Sequence, residues 1–149
     1  MSNLQWLGIW GMTGFSKPEK SDLDKWSKGI TYVLSDPKGR HYFKEFLTNE
    51  DRGFKDEAKV LEIWTNCEMF ISQGANNPEV ILEEAREHLS MTYGDLPRVE
   101  DVRTGSGAQV RQEILKIQEG ARDDLISVHS AFIDFLKTNL PKKARCFIL

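Results

Sequence analysis

Two pairs of adjacent carboxylates, Glu83-Glu84 and Asp123-Asp124, are the first places in this 149-residue chain to look for acid–base chemistry. That chemistry needs two carboxyl groups facing one substrate atom. Neighbours on a helix diverge around its axis, so both pairs read as solvated faces. Cys67 and Cys146 are the two cysteines, and neither their number nor their spacing makes a disulfide framework or a zinc site. Cys67 falls in an apolar helical pattern and reads as a small core residue. His41, His88 and His129 stand singly, without metal-ligand spacing. Gly105-Ser106-Gly107 lacks the flanking strand and the Lys-Ser/Thr of a phosphate loop, and no serine sits in a nucleophile elbow. The expectation is a binding protein with no chemistry, metal or cofactor of its own. A net charge of −3 and a pI of about 5.7 supply no basic field for nucleic acid.

The elements that would position a binding face read as helices from residue 21 onward. The chain is long enough for one domain with a real core, since a domain of this size buries roughly 68–70% of its unfolded surface. Ser21 with Asp24 reads as a capping box. Trp26, Ile30, Val33 and Leu34 then share one apolar face of a single helix. Asp36-Pro37-Lys38-Gly39 has the residue order of a type I turn, and a helix starting near Arg40 buries Phe43, Phe46 and Leu47. Beyond a charged loop over 51–55, a long helix over about 56–73 carries Val60, Ile63, Trp64, Cys67 and Ile71, and Gly74 stops it. Asn77-Pro78 reads as an N-cap followed by an N1 proline, opening a helix with Ile81, Leu82, Ala85 and Leu89. The stretch 96–102 holds a short element, and Gly105-Ser106-Gly107 a flexible break. Two further helices are expected, one with Val110, Ile114, Ile117 and Ala121, the other with Leu125, Val128, Phe132, Phe135 and Leu136. No strand alternation or internal repeat interrupts this pattern.

The opening stretch is apolar and contains Trp6 and Trp10, but Gln5, Gly8, Gly11 and Gly14 interrupt it. It lacks the basic start and cleavage site of a signal peptide and falls short of the ~20 residues that span a bilayer. Residues 1–20 therefore read as an arm that packs its tryptophans onto the domain, with a shallow membrane contact as the alternative.

Three stretches, in order, resemble one family. The first runs Trp26-Ser27-Lys28-Gly29-Ile30-Thr31-Tyr32-Val33-Leu34-Ser35-Asp36-Pro37-Lys38-Gly39-Arg40-His41-Tyr42-Phe43-Lys44-Glu45-Phe46-Leu47. The second is Leu61-Glu62-Ile63-Trp64-Thr65-Asn66-Cys67-Glu68-Met69-Phe70. The third joins Gln112-Glu113-Ile114-Leu115-Lys116-Ile117 to Ala131-Phe132-Ile133-Asp134-Phe135-Leu136-Lys137. Together they resemble the RGS (regulator of G-protein signalling) homology domain over most of residues 22–139. The resemblance implies an all-α, nine-helix bundle with two subdomains over 21–140. It also implies a G-protein α subunit as the partner, bound through Glu50, Lys59, Val60, Asp95, Leu96, Ser130 and Asp134. Members that accelerate GTP hydrolysis place an Asn four residues before the helix Trp, where this chain has Val60. A second Asn is expected near Asp95-Leu96-Pro97, and an Arg where this chain has Asp134. The stretch from Asp56 to Trp64 is distantly similar to the RGS-homology region of G-protein-coupled receptor kinases, some of which bind the α subunit with little acceleration. The expectation is an RGS-like regulator with weak or absent GTPase-activating activity. The alternative is an adaptor that uses the same fold to bind another signalling protein.

The tail over 141–149 ends Lys142-Lys143-Ala144-Arg145-Cys146-Phe147-Ile148-Leu149. Cys146, two apolar residues and a final Leu fit a prenylation box. Three upstream basic residues would each add about 1 kcal/mol toward an anionic leaflet. The expected location is the cytoplasm, anchored by that lipid to the cytosolic face of a membrane.

Overall fold

The computed structural model describes residues 15–91 and 94–139. Every regular element among them is helical: α1 (Lys20–Trp26), α2 (Ile30–Leu34), α3 (Pro37–Thr48), α4 (Lys55–Gln73), α5 (Pro78–His88), α6 (Val99–Arg103) and α7 (Gly107–Asn139), with a 3-10 turn at Glu50–Arg52. The protein is all-α. Its residues fall into two compact units, Met1–Phe46 with Val128–Leu149, and Leu47–Ser127. The helix α7 gives its first part to the second unit and its last part, from Val128, to the first.

In the first unit α1 is capped two residues earlier than Ser21 and Asp24 suggest. Asp22 Oδ2 accepts the Glu19 N–H at 3.0 Å, so Glu19 is the N-cap and Asp22 the third helical residue. The single helix expected from Trp26 to Leu34 is two. Gly29 sits at φ 159°, ψ 166°, outside the helical region, at a residue that costs about 1 kcal/mol in a helix interior. The apolar face survives this break, because Trp26, Ile30, Val33 and Leu34 are all buried. The expected turn at Asp36–Gly39 is instead the first turn of α3. Asp36 Oδ1 accepts the Lys38 N–H at 3.1 Å, Pro37 occupies N1, and the Asp36 carbonyl accepts Arg40 N–H at 2.8 Å. Type I turn dihedrals are close to helical, so one sequence signal serves both.

This unit's core is built from rings. Phe132 lies 5.0 Å from Phe43, 5.5 Å from Phe46 and 6.2 Å from Trp26 between centroids, and Phe135 lies 5.3 Å from Phe46, all within the favourable range for aromatic pairs. The polar edges of these residues are paired. Trp26 Nε1 donates to Asp36 Oδ2 at 2.9 Å, and His129 donates from Nε2 at 2.8 Å to the Trp26 carbonyl, which also accepts the Gly29 N–H at 3.4 Å. Gly39 permits the close packing. A Cβ there would lie 2.7 Å from the Val33 carbonyl oxygen and 2.9 Å from Trp26 Nε1.

The second unit has a largely aliphatic core: Val60, Leu61, Ile63, Ile81, Leu82, Val102, Val110, Ile114, Ile117 and Leu125 are buried, with Trp64 and Cys67 among them. Gly74 ends α4 as its spacing predicts, at φ 67°. Its N–H donates to Phe70 O and the Ala75 N–H to Met69 O, the paired closure of a left-handed cap. Asn77 Oδ1 accepts the Glu79 N–H at 2.8 Å ahead of Pro78, as expected.

The two helices expected after residue 107 are one helix of 33 residues. Buried positions 110, 114, 117, 121, 125, 128, 132 and 136 recur every three or four residues without a gap, and neither Pro nor a cap interrupts them. Ser106 starts this helix, its Oγ accepting the Gln109 N–H at 3.2 Å and its carbonyl the Val110 N–H at 2.9 Å. The expected break at Gly105–Gly107 is thus a capped helix start.

Among the described residues no helix is long and apolar enough to cross a membrane. Trp6, Trp10 and the tail with Cys146 lie outside the described residues.

Candidate partner-binding site

Glu50 opens the 3-10 turn that precedes α4. Asn49 Oδ1 accepts the Asp51 N–H at 2.9 Å, and Gly53 takes φ 76°, a left-handed conformation that suits glycine. The chain then enters α4 with Asp56 and Glu57 in its first turn, where carboxylates complement the positive end of the helix. Lys59 is exposed and pairs with Glu62 at 3.6 Å. Val60 is 4% exposed. The expectation that it belongs to a contact face is corrected by its register: residues 60, 63, 64 and 67 share the inward stripe of α4, so Val60 is part of the core.

The second expected contact, Asp95-Leu96, lies in the turn before α6. Asp95 is exposed and Leu96 half-buried, and the buried Pro97 that follows anchors the turn. Arg98 pairs with Asp101 at 3.5 Å. Arg103, at the end of α6, grips Glu79 of α5 with two hydrogen bonds of 3.2 Å, a bidentate geometry that raises the guanidinium pKa above its usual value. Gln118 Nε2 donates to Glu68 Oε2 at 2.7 Å, so the acid of the Cys67-Glu68 pair joins α4 to α7.

Ser130 and Asp134 are exposed and one helical turn apart on α7, with Phe132 and Ile133 buried between them. The Asp134 carbonyl accepts from Thr138 Oγ1 at 2.9 Å. Glu50, Lys59, Val60, Asp95 and Leu96 thus belong to the second unit, and Ser130 and Asp134 to the first.

Two clusters escaped the sequence reading. Glu84, Glu87 and His88 bring three ligand-capable atoms within 4.8 Å of one another at the end of α5. The His88 Nε2 distances to the two carboxylates, 3.6 and 3.8 Å, are those of an ordinary ion-pair cluster when the ring is charged. Glu at i with His at i+4 is the signal that could have found it. The other cluster surrounds Asp36, which accepts from Trp26 Nε1, Lys25 Nζ at 3.1 Å and the Lys38 N–H. Burial pushes its carboxyl upward, but these donors outweigh burial and hold it below its ordinary 3.8.

Cys67 is fully buried, and burial with the nearby Glu68 pushes its thiol up to about 12. Such a group is a packing residue rather than a nucleophile. No family model matches the chain, and neither the curated proteins nor the solved structures contain a match.

Proposed function

We propose that this chain is a regulator of G-protein signalling, an RGS-like bundle of nine helices in two subdomains that binds a G-protein α subunit and accelerates GTP hydrolysis weakly or not at all. The observation that carries this reading is the order of its motif residues together with their burial. Trp26, Phe43, Phe46, Leu47, Trp64, Cys67, Phe132 and Leu136 are among the positions at which the three stretches resemble the family and are buried, while Phe135 of the closing motif is half-buried.

An α subunit of this class carries its own arginine and a glutamine that orients the attacking water. A partner therefore accelerates hydrolysis by holding those groups in their transition-state arrangement. The resemblance calls for an amide at position 60 to reach into that site. Val60 is instead a buried hydrocarbon and offers no hydrogen bond. Loss of one preorganised donor costs about 10²–10³ in rate, enough to remove most acceleration while leaving the rest of an interface intact. Asp134 is exposed where the family's pattern has an arginine, a reversal of charge. Mismatched charge at an interface costs several kcal/mol against a partner tuned for the opposite sign.

The same two observations favour the second reading, an adaptor in which the scaffold binds a different signalling protein. Single-turnover GTP hydrolysis on a panel of α subunits tests the absence of strong acceleration. The expected stimulation is below about tenfold, roughly 1.4 kcal/mol of barrier; a larger stimulation contradicts it.

A further inference from the structure

Residues 15–17 lie against one face of α3 and are held from Lys38, His41 and Tyr42, positions that share a helical face. The Tyr42 hydroxyl donates to the Ser16 carbonyl at 2.8 Å. Lys38 Nζ donates to Ser16 Oγ at 2.9 Å and to the Lys17 carbonyl at 3.2 Å while paired with Asp22 at 2.6 Å. The third hold is the His41 ring, stacked on Phe15 with centroids 5.4 Å apart and planes 26° apart. The same ring meets Tyr42 edge-on at 4.8 Å. Its Nε2 is enclosed, with no hydrogen-bond partner among the described residues.

A neutral imidazole can leave one ring nitrogen as an unused lone pair in such a place. An imidazolium carries N–H on both nitrogens, and enclosing a charged donor without an acceptor is strongly unfavourable. We propose that His41 is a proton-operated latch for residues 15–17: the neutral ring lets Phe15 dock on α3, and the imidazolium releases it while the helices stay folded.

The charges acting on the ring are Glu45 and Lys44, both on α3; the docked segment presents Phe15, and its own charged residues are Lys17 and Glu19. Burial lowers the imidazole below its usual 6.5, Glu45 raises it, and Lys44 lowers it, with a net lowering. Stacking of a cation on Phe15 opposes release, but it is worth less than the cost of enclosing a charged donor that has no acceptor. An undocked ring binds its proton more readily than a docked one. Docking is therefore strongest above the usual 6.5 and weakens as pH falls below it toward the docked value. Burial, with Asp22 nearby, raises the Tyr42 phenol, so that hydroxyl stays a donor throughout this window.

The latch does not depend on the α-subunit reading. Its test is an NMR titration of the three histidine rings in the full chain, followed together with the Ser16 and Lys17 amides. His41 is expected to titrate below 6.5, the two amides to shift with the same midpoint, and far-ultraviolet circular dichroism, which reports the helices, to stay flat across it. Phe15→Ala should return the His41 midpoint toward 6.5, and His41→Phe, which keeps a stacked ring, should abolish the amide titration. A His41 midpoint at or above 6.5, a midpoint unmoved by Phe15→Ala, amide shifts that persist in His41→Phe, or global unfolding at the same pH each overturns the latch. Phe15→Ala lies outside the helices and decides the matter alone where His41→Phe does not fold.

Discussion

The two units solve the same packing problem with different materials. The first packs Trp26, Phe43, Phe46 and Phe132 as a ring cluster, with the Trp26 indole N–H paired to Asp36 and the Trp26 carbonyl to His129. The second packs aliphatic side chains around Trp64 and Cys67, and its polar ties, such as Arg103 with Glu79 and Ser90 with Asp124, lie at the surface. Rings fill volume in large rigid pieces, and a donor such as an indole N–H must be satisfied wherever it is buried. Aliphatic side chains carry no such obligation and adjust in smaller steps. Single substitutions should therefore cost more in the ring-built unit, through both cavities and orphaned donors.

The largest expected effect is Phe132→Ala. It removes the ring that touches three others and should destabilise the chain by about 3–5 kcal/mol in chemical denaturation. A loss below about 2 kcal/mol would mean that the cluster collapses readily around the gap, against the contrast between rigid rings and adaptable aliphatics.

Next comes Asp36→Ala, which orphans the Trp26 indole and removes the cap of α3, an expected loss of about 2–3 kcal/mol. Asp36→Asn keeps the cap and should recover about half of it. Because the Asp36 carboxyl is held below its ordinary 3.8, its contribution is fully present above that value and drains away as pH falls through the lower folded value. The wild type should accordingly lose more stability than Asp36→Asn on acidification below 3.8; parallel curves would remove the carboxylate from the account.

The smallest effect contrasts one glycine from each unit. Gly39→Ala forces a Cβ against backbone and a buried indole and should cost about 1–3 kcal/mol. Gly120→Ala meets only the flexible Met91 side chain and gains helix propensity, so its net change should stay within about 1 kcal/mol. Equal losses at both sites would erase the distinction between a rigid and an adaptable core.

Much of this organisation was legible in the residues. Gly74 and the Asn77-Pro78 pair marked helix ends through local chemistry alone, and the 3.6-residue periodicity placed Trp26, Phe43, Trp64 and Phe132 in the core. Starts and breaks were less legible where two local signals competed. Asp36-Pro37-Lys38-Gly39 encodes a turn and a helix start equally well, and the Glu19/Asp22 cap outbids Ser21/Asp24. Gly29 breaks a helix that periodicity alone would keep whole, and α7 stays whole although Gly120 and the polar Arg122-Asp123-Asp124 stretch invite a division. Which of the expected contact residues are exposed was not legible, because exposure is decided by register on folded helices. Lys59 and Val60 are neighbours in sequence, yet one is in solvent and the other in the core.

Capture of a G-protein α subunit in three nucleotide states tests the central claim most directly. The chain should retain the α subunit in its GTP-analogue and GDP–aluminium fluoride forms, with a preference for the transition-state mimic of no more than about tenfold, and should not retain the GDP form. Equal retention of all three forms, or none of any form across the α-subunit classes, would contradict it.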